Sequence, residues 1–202
     1  MGNGLDAFAK CISEESLNGV LLSAHSDYPI TEINTDGYKW VSEITRKMVQ
    51  KGKDRPVYVG YGEDTKEETL RYKGFLYALK SEKCTRELQD IWIKNSTCPL
   101  SEMVMQRTRQ GCNGFVCWND IIAEQVLNIL EANSINVPEE VALTGFDDSS
   151  QEGRQSVITT VHQPLYEKGS CAVRILLDQI GSVNPSIRKE YVECNIVERD
   201  TL

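Results

Sequence analysis

Short apolar runs alternate along this chain with longer amphipathic stretches. GVLLSA (Gly19–Ala24), RPVYVGY (Arg55–Tyr61), GFVCW (Gly114–Trp118), VALTGF (Val141–Phe146), VITTV (Val157–Val161) and the segment Tyr191–Val197 read as strands. Between them, residues 36–51 carry Trp40, Val41, Ile44, Met48 and Val49 at helical spacing, and Gly52 stands where a helix stop belongs. Helices are also expected over 64–81, about 84–93, about 100–110, 120–133 and 165–180. The first of these opens on acidic residues, which suit the positive end of a helix dipole. The 120–133 stretch shows an apolar face of Ile121, Ile122, Val126, Leu127 and Leu130.

Five- to seven-residue strands alternating with longer helices indicate crossover units on parallel sheets. A sheet covered on both faces has strands that are nearly all apolar, as GVLLSA and VALTGF are. Ligands of such sheets bind just beyond the carboxyl ends of the strands. The polar residues that end each run are therefore the ones to watch: His25–Asp27, Gly60–Asp64, Asn119–Asp120 and Asp147–Ser150.

Composition narrows the partners. The 202 residues include 30 acidic and 22 basic side chains, a formal charge of −8. That balance argues against a nucleic-acid grip by this chain itself, because phosphate binding is driven by Lys and Arg releasing counterions. No apolar run approaches the ~18 residues of a membrane helix, and the N-terminus lacks the basic-then-apolar pattern of an export signal. Seven cysteines, an odd number with no CxxC pair, fit reduced thiols in a cytosol better than a disulfide framework or a zinc site. The two histidines, His25 and His162, share no local metal spacing and read as structural or solvated. No metal and no cofactor are expected.

Two short features hold the chemistry. In CWND (Cys117–Asp120) a strand runs into Asn-Asp at a helix start, where either residue would serve as an N-cap or face a ligand. In GFDDSS (Gly145–Ser150) two carboxylates end a strand beside hydroxyls, as an Asx-type turn or as ligand acceptors. Paired carboxylates also serve as general acid and base. No nucleophile elbow, HExxH, P-loop or GxGxxG accompanies them, and GYGED (Gly60–Asp64) is too short and acidic to cradle phosphates, so an enzyme is not expected.

Taken in order, Asn119-Asp120, the Val137-Pro138 turn, Gly145–Asp148, Thr159–Pro164 and the helix with Gly169 form a pattern. It resembles the ligand-sensing domain of the LacI/GalR family of sugar-responsive bacterial repressors. Upstream, INTDGYKWVSEI and RPVYVGY…ETLRYKGFLYAL resemble the same domain, as does the closing IVERDTL (Ile196–Leu202). The likeness covers residues 17–200 and is strongest over 111–180.

The resemblance implies an α/β fold of two Rossmann-like lobes with parallel sheets, of the periplasmic-binding-protein-like type I. One lobe would hold 1–58 plus 164–190, the other 59–163 plus 191–202. A small sugar-like effector would lie between the lobes, and the protein would act as a cytoplasmic homodimer that reaches DNA only through a headpiece outside this chain. Relative to the family, the headpiece, a first strand and helix, and a helix and strand between GVLLSA and INTDG are lacking. An incomplete, N-terminally truncated first lobe is therefore expected. By similarity, Arg71, three residues before Gly74, is the ligand-contacting arginine, Asn119 the hydrogen-bonding amide and Asp147 the ligand carboxylate. Asp148 would support the turn, Gln163 would touch ligand or lace the crossover, and Trp92 would stack on a sugar face. Alternatives of the same fold are a solute-binding protein and the sensor module of a diguanylate cyclase or kinase.

Overall fold

A computed structural model describes residues 4–63, 65–84, 87–94, 96–149, 156–182 and 186–202; Asp64 and Ser150, singled out above, and 85–86 of an expected helix lie outside the described residues. The chain forms two compact units, Met1–Asp36 with Pro164–Cys194, and Gly37–Gln163 with Asn195–Leu202. Residues 37–58 thus group with the second unit, where the sequence had suggested the first. The helix over Gly37–Gln50 is the reason: Gly74 of the next helix lies against the Tyr38 carbonyl, and Met48 packs on Gly114. Residues 191–194 group with the first unit, held by the Val192 N–H donating to Asn34 O at 2.8 Å.

In the first unit, α1 (Gly4–Glu14), β1 (Val20–Leu22), β2 (Thr31–Asn34), α6 (Leu165–Gly181) and β8 (Lys189–Tyr191) assemble a parallel sheet of order β1-β2-β8. Ala9, Leu21 and Ile30 form its core, and Ile33 and Ile175 are buried as well. Polar groups inside it are matched. The Gln179 amide accepts from Gly19 N–H at 3.2 Å and donates to Thr31 Oγ1 at 3.1 Å. Burial pushes the Glu32 carboxyl up. Hydrogen bonds from His25, the Ser26 N–H and Lys189 outweigh that and hold it below its ordinary range.

In the second unit, α2 (Gly37–Gln50), β3 (Pro56–Gly60), α3 (Lys66–Ser81), β4 (Ile91–Trp92), α4 (Leu100–Arg109), β5 (Gly114–Cys117), α5 (Asp120–Ala132) and β6 (Ala142–Thr144) build a parallel sheet of order β4-β3-β5-β6. Every residue of β3 and β5 is buried, as a sheet covered on both faces requires. Val57, Val59, Phe115, Cys117 and Leu143 pack with Met103 and Val104 of α4 and Ile122, Val126 and Leu130 of α5. On the opposite face Tyr58 meets Phe75 of α3, and Gly114 meets Met48 of α2. An antiparallel ribbon of β7 (Thr160–His162) and β9 (Asn195–Val197) closes the unit. The C-terminal residues fasten to β6: Thr201 Oγ1 accepts from Thr159 N–H at 2.9 Å and donates to Leu143 O at 2.8 Å.

Four expectations about elements change. Residues 84–93 hold no helix among the described residues; Ile91 and Trp92 extend the sheet beside Val59 and Gly60. The Asp90 carboxylate fixes this edge by accepting from Tyr58 N–H at 3.1 Å and Tyr72 Oη at 2.7 Å. The single strand expected over Tyr191–Val197 is two, β8 and β9, in different units. Neither α1 nor β2 had been anticipated; β2 is four buried residues, TEIN, two of them strongly polar.

Candidate functional site

The carboxyl ends of β3, β5, β6 and β7 place the site residues within the second unit. Thr65 caps α3, its Oγ1 accepting from Glu68 N–H at 3.2 Å. Glu68 in turn fixes the turn after β3, accepting from Gly62 N–H at 3.2 Å and Glu63 N–H at 2.6 Å. One helical turn along, Arg71 is 7 % exposed although charged.

Its environment explains how that charge is tolerated. The Arg71 guanidinium carbon lies 4.4 Å from the Trp118 ring centre and 3.7 Å from that of Phe146, so the fork is gripped between two aromatic faces. Its Nη1 donates to Trp118 O at 2.5 Å, and Nη2 stands 3.6 Å from Asp147 Oδ1. A planar cation fixed by four contacts from three residues is held in one orientation.

Asn119 follows Trp118 directly. Its Oδ1 accepts from Ile122 N–H at 3.0 Å, making it the N-cap of α5. The cap reading and the ligand reading are compatible, because the cap engages the carbonyl oxygen while the amide NH2 lies outside it.

Asp147 and Asp148 end β6 in left-handed backbone, with φ of 109° and 56°. Two consecutive non-glycine residues at positive φ persist only when their surroundings hold them there. Here the hold is explicit. Asp147 N–H donates to Val161 O at 2.9 Å, and Gln163 Nε2 donates to Asp147 Oδ1 at 2.6 Å. Asp148 accepts from Arg199 Nη2 at 2.6 Å and lies 2.9 Å from His162 Nδ1. Burial raises the Asp148 carboxyl, but the hydrogen bonds from Arg199 and His162 prevail and keep it below its usual range.

Behind the turn, Asp120 is 4 % exposed and ties three strand ends together. It accepts from Thr160 Oγ1 at 2.6 Å and from Ser149 N–H at 2.8 Å, while its own N–H donates to Phe146 O at 2.9 Å. A Cβ on Gly145 would overlap this carboxylate, so glycine is required there. Burial pushes the Asp120 carboxyl up to about 6. The Thr160 and Ser149 hydrogen bonds oppose that rise, and the negative charges of Asp147 and Asp148 add to it.

The structure therefore brings Arg71 and Gln163 each against Asp147, with Asn119 next to the carbonyl that Arg71 holds. Trp92, paired with Gly60 at the end of β4, is engaged with other aromatic rings. Its ring packs edge-on to Tyr72 at 4.9 Å and against Tyr58 at 5.6 Å, an aromatic cluster alongside β3. Trp118 is the aromatic at the site, and Tyr61 meets its ring edge-on at 5.7 Å. Sequence reading missed the roles of Trp118, Phe146, Arg199 and Asp120. Only the position of Trp118 and Phe146, each just before a strand-end polar residue, carried a hint. Among the described residues, no His, Cys, Asp and Glu side chains are grouped to hold a metal ion, and no helix is long and apolar enough to cross a membrane.

The periplasmic binding protein-like domain matches residues 45–202. A relative, the HTH-type transcriptional regulator RegA of Clostridium saccharobutylicum, is 26% identical over 97% of this chain and 61% of its own length. The chain thus spans about three fifths of that regulator. Among solved structures, a LacI family transcriptional regulator from Enterococcus faecium with bound ribose superposes with a TM-score of 0.83 at 18% identity, covering 97% of this chain and 74% of that one. The transcription regulator GntR from Chromobacterium violaceum gives 0.81 at 24% identity, over 96% and 73%. Both likenesses are of fold.

Proposed function

The chain belongs to the periplasmic binding protein-like domain family, and from that premise we propose that it is the effector-sensing part of a LacI/GalR-type bacterial transcriptional regulator. The effector is a small, hydroxyl-rich molecule of the sugar class, held by Arg71, Asn119, Asp147 and Gln163. The observation that carries this reading is the Arg71 guanidinium, locked between Trp118 and Phe146 and set against Asp147. Its charge is already matched by a carboxylate, which suits neutral hydroxyls that both donate and accept. The regulator works in the cytoplasm as a homodimer, without catalysis. DNA is read by a headpiece outside this acidic chain.

Asp147 supplies the coupling. Ligand hydroxyls that take its carboxylate compete with the Gln163 amide now bound there at 2.6 Å. Gln163 is the last residue before the chain passes into the first unit at Pro164, so occupancy alters the hold on that connection. A ligand shifts the population only by its preference for one arrangement.

Thermal denaturation against pentoses, hexoses, disaccharides and nucleobases tests the reading. A ligand at 100 times its Kd adds about 2.7 kcal/mol. The informative variants are Asp147→Ala and Asn119→Asp, the second keeping the cap oxygen while removing the NH2 donor. Loss of the shift in both is expected. A sugar that stabilises both variants as well as the parent refutes the site.

A further inference from the structure

At the amino ends of β3 and β4, against the last turn of α4, lies a hollow of about 470 Å³. The five residues of β3, at ~3.3 Å each, set it on the order of 16 Å from the site residues at the carboxyl ends of the same sheet. Arg55, Glu87, Gln89, Gln106, Arg107 and Gln110 give it polar walls.

Both guanidinium groups are fixed by the protein and only partly used. Arg55 Nη2 donates to Gln110 O at 3.0 Å, at the end of α4, and Arg107 Nε donates to Gln89 O at 2.7 Å. Arg107 Nη1 is 3.1 Å from Gln106 Oε1 and 3.4 Å from Gln110 Oε1. Among the described residues, every partner of Arg107 is therefore neutral, and neither its Nη2 nor Arg55 Nη1 has an acceptor. Gly111, at φ of 90°, leaves room for Arg55, since a Cβ there would come within 2.9 Å of Nη1. Only Glu87 offsets the two positive charges, its side chain 66% exposed and its carboxylate a loose 3.5 Å from Arg55 Nη2. The attraction of a cation to a helix C-terminus accounts for the Arg55 bond to Gln110 O, but not for a second guanidinium whose charge is unmatched.

Two forks held from different elements, with donors to spare and an excess of positive charge, suit a compact anion of more than one charge. A tetrahedral phosphate offers oxygens to both forks at once, where a single carboxylate fills one. The Gln89, Gln106 and Gln110 amides both donate and accept, as hydroxyls on the same molecule require. The volume falls within the ~300–1,000 Å³ usual for small-molecule sites. We propose that this hollow is a second ligand site, in which Arg55 and Arg107 bind the phosphate group of a small phosphorylated molecule. It rests on neither the effector site nor the sugar reading.

Isothermal titration calorimetry of the full chain at constant ionic strength, with inorganic phosphate, glycerol phosphate and succinate, tests it. Saturable binding of glycerol phosphate to one site is expected, tighter than inorganic phosphate because its hydroxyls reach the amides, with succinate weaker by about tenfold or more. Arg107→Gln should weaken glycerol phosphate by about tenfold or more, through loss of a charge-assisted pair. Glu87→Gln, at an exposed side chain, should tighten it severalfold by removing the competing carboxylate. A parent that binds no phosphate compound saturably overturns the proposal, as does binding that survives Arg107→Gln or is not strengthened by Glu87→Gln. Succinate binding as well as glycerol phosphate overturns the choice of phosphate. Inorganic phosphate binding as tightly as glycerol phosphate overturns the assignment to a phosphorylated molecule and makes the site one for the free ion.

Discussion

Replacing Asp120 by Asn removes one ionisable proton from the base of the site while keeping the side-chain shape. The asparagine oxygen can still accept from Ser149 N–H, and its amide can face Thr160 Oγ1, the two partners of the native carboxylate. The native carboxyl moves from 3.8 to about 6 on folding. The folded unit therefore binds this proton more tightly than the unfolded chain. The stability it contributes is complete below pH 3.8 and is lost as the pH rises through about 6. A displacement of about two units corresponds to about 3 kcal/mol. Urea unfolding followed by tryptophan fluorescence is the suitable assay, because all three tryptophans, Trp40, Trp92 and Trp118, lie in the second unit. Between about pH 4 and 7 the parent should lose about 3 kcal/mol relative to Asp120→Asn, leaving the variant the more stable protein at neutral pH. Other titrating groups cancel in the difference. Parallel pH profiles for the two proteins would show that the carboxylate is not penalised by burial, and the account of the strand-end junction would fail.

Arg199→Met removes the strongest partner of Asp148, whose carboxyl sits below its ordinary range in the native unit. The stability from such a group is present above its unfolded pKa and lost as the pH falls through the lowered folded one. The variant should thus be less stable at neutral pH by roughly 1–3 kcal/mol, with the gap narrowing in acid, as read by urea titration in acetate and formate buffers. Thr201→Val keeps the volume of a side chain that is 2% exposed but leaves Thr159 N–H and Leu143 O without their hydrogen-bonding hydroxyl. A loss of about 3 kcal/mol is expected by the same measurement, and a loss under about 0.5 kcal/mol would mean that the C-terminus is not fastened to β6 this way. Gly74→Ala would push a Cβ into the Tyr38 carbonyl, so α2 and α3 must part. Thermal denaturation should show about 1–3 kcal/mol lost.

What the chain's letters determined is the rhythm of the second unit. Its strands are short apolar runs of the kind that a sheet buried on both faces requires, and α2 and α5 carry clear helical spacing. The polar residues ending those runs could be named in advance because parallel strands deliver their carboxyl ends to one side of a sheet. Local pattern could not supply β2, since TEIN buries a glutamate whose charge is tolerated only through His25, Ser26 and Lys189, none of them adjacent to it. Nor could it assign Ile91–Trp92 to a strand, because a two-residue strand exists only through its pairing with Val59 and Gly60. The same holds at the site. That Arg71 matters was readable from Arg-x-x-Gly, but its fixing by Trp118 and Phe146, 47 and 75 residues away, is decided where three separate strand and helix ends converge. Trp92 and Trp118 are alike as letters, and only packing put one in the aromatic cluster beside β3 and the other over the guanidinium.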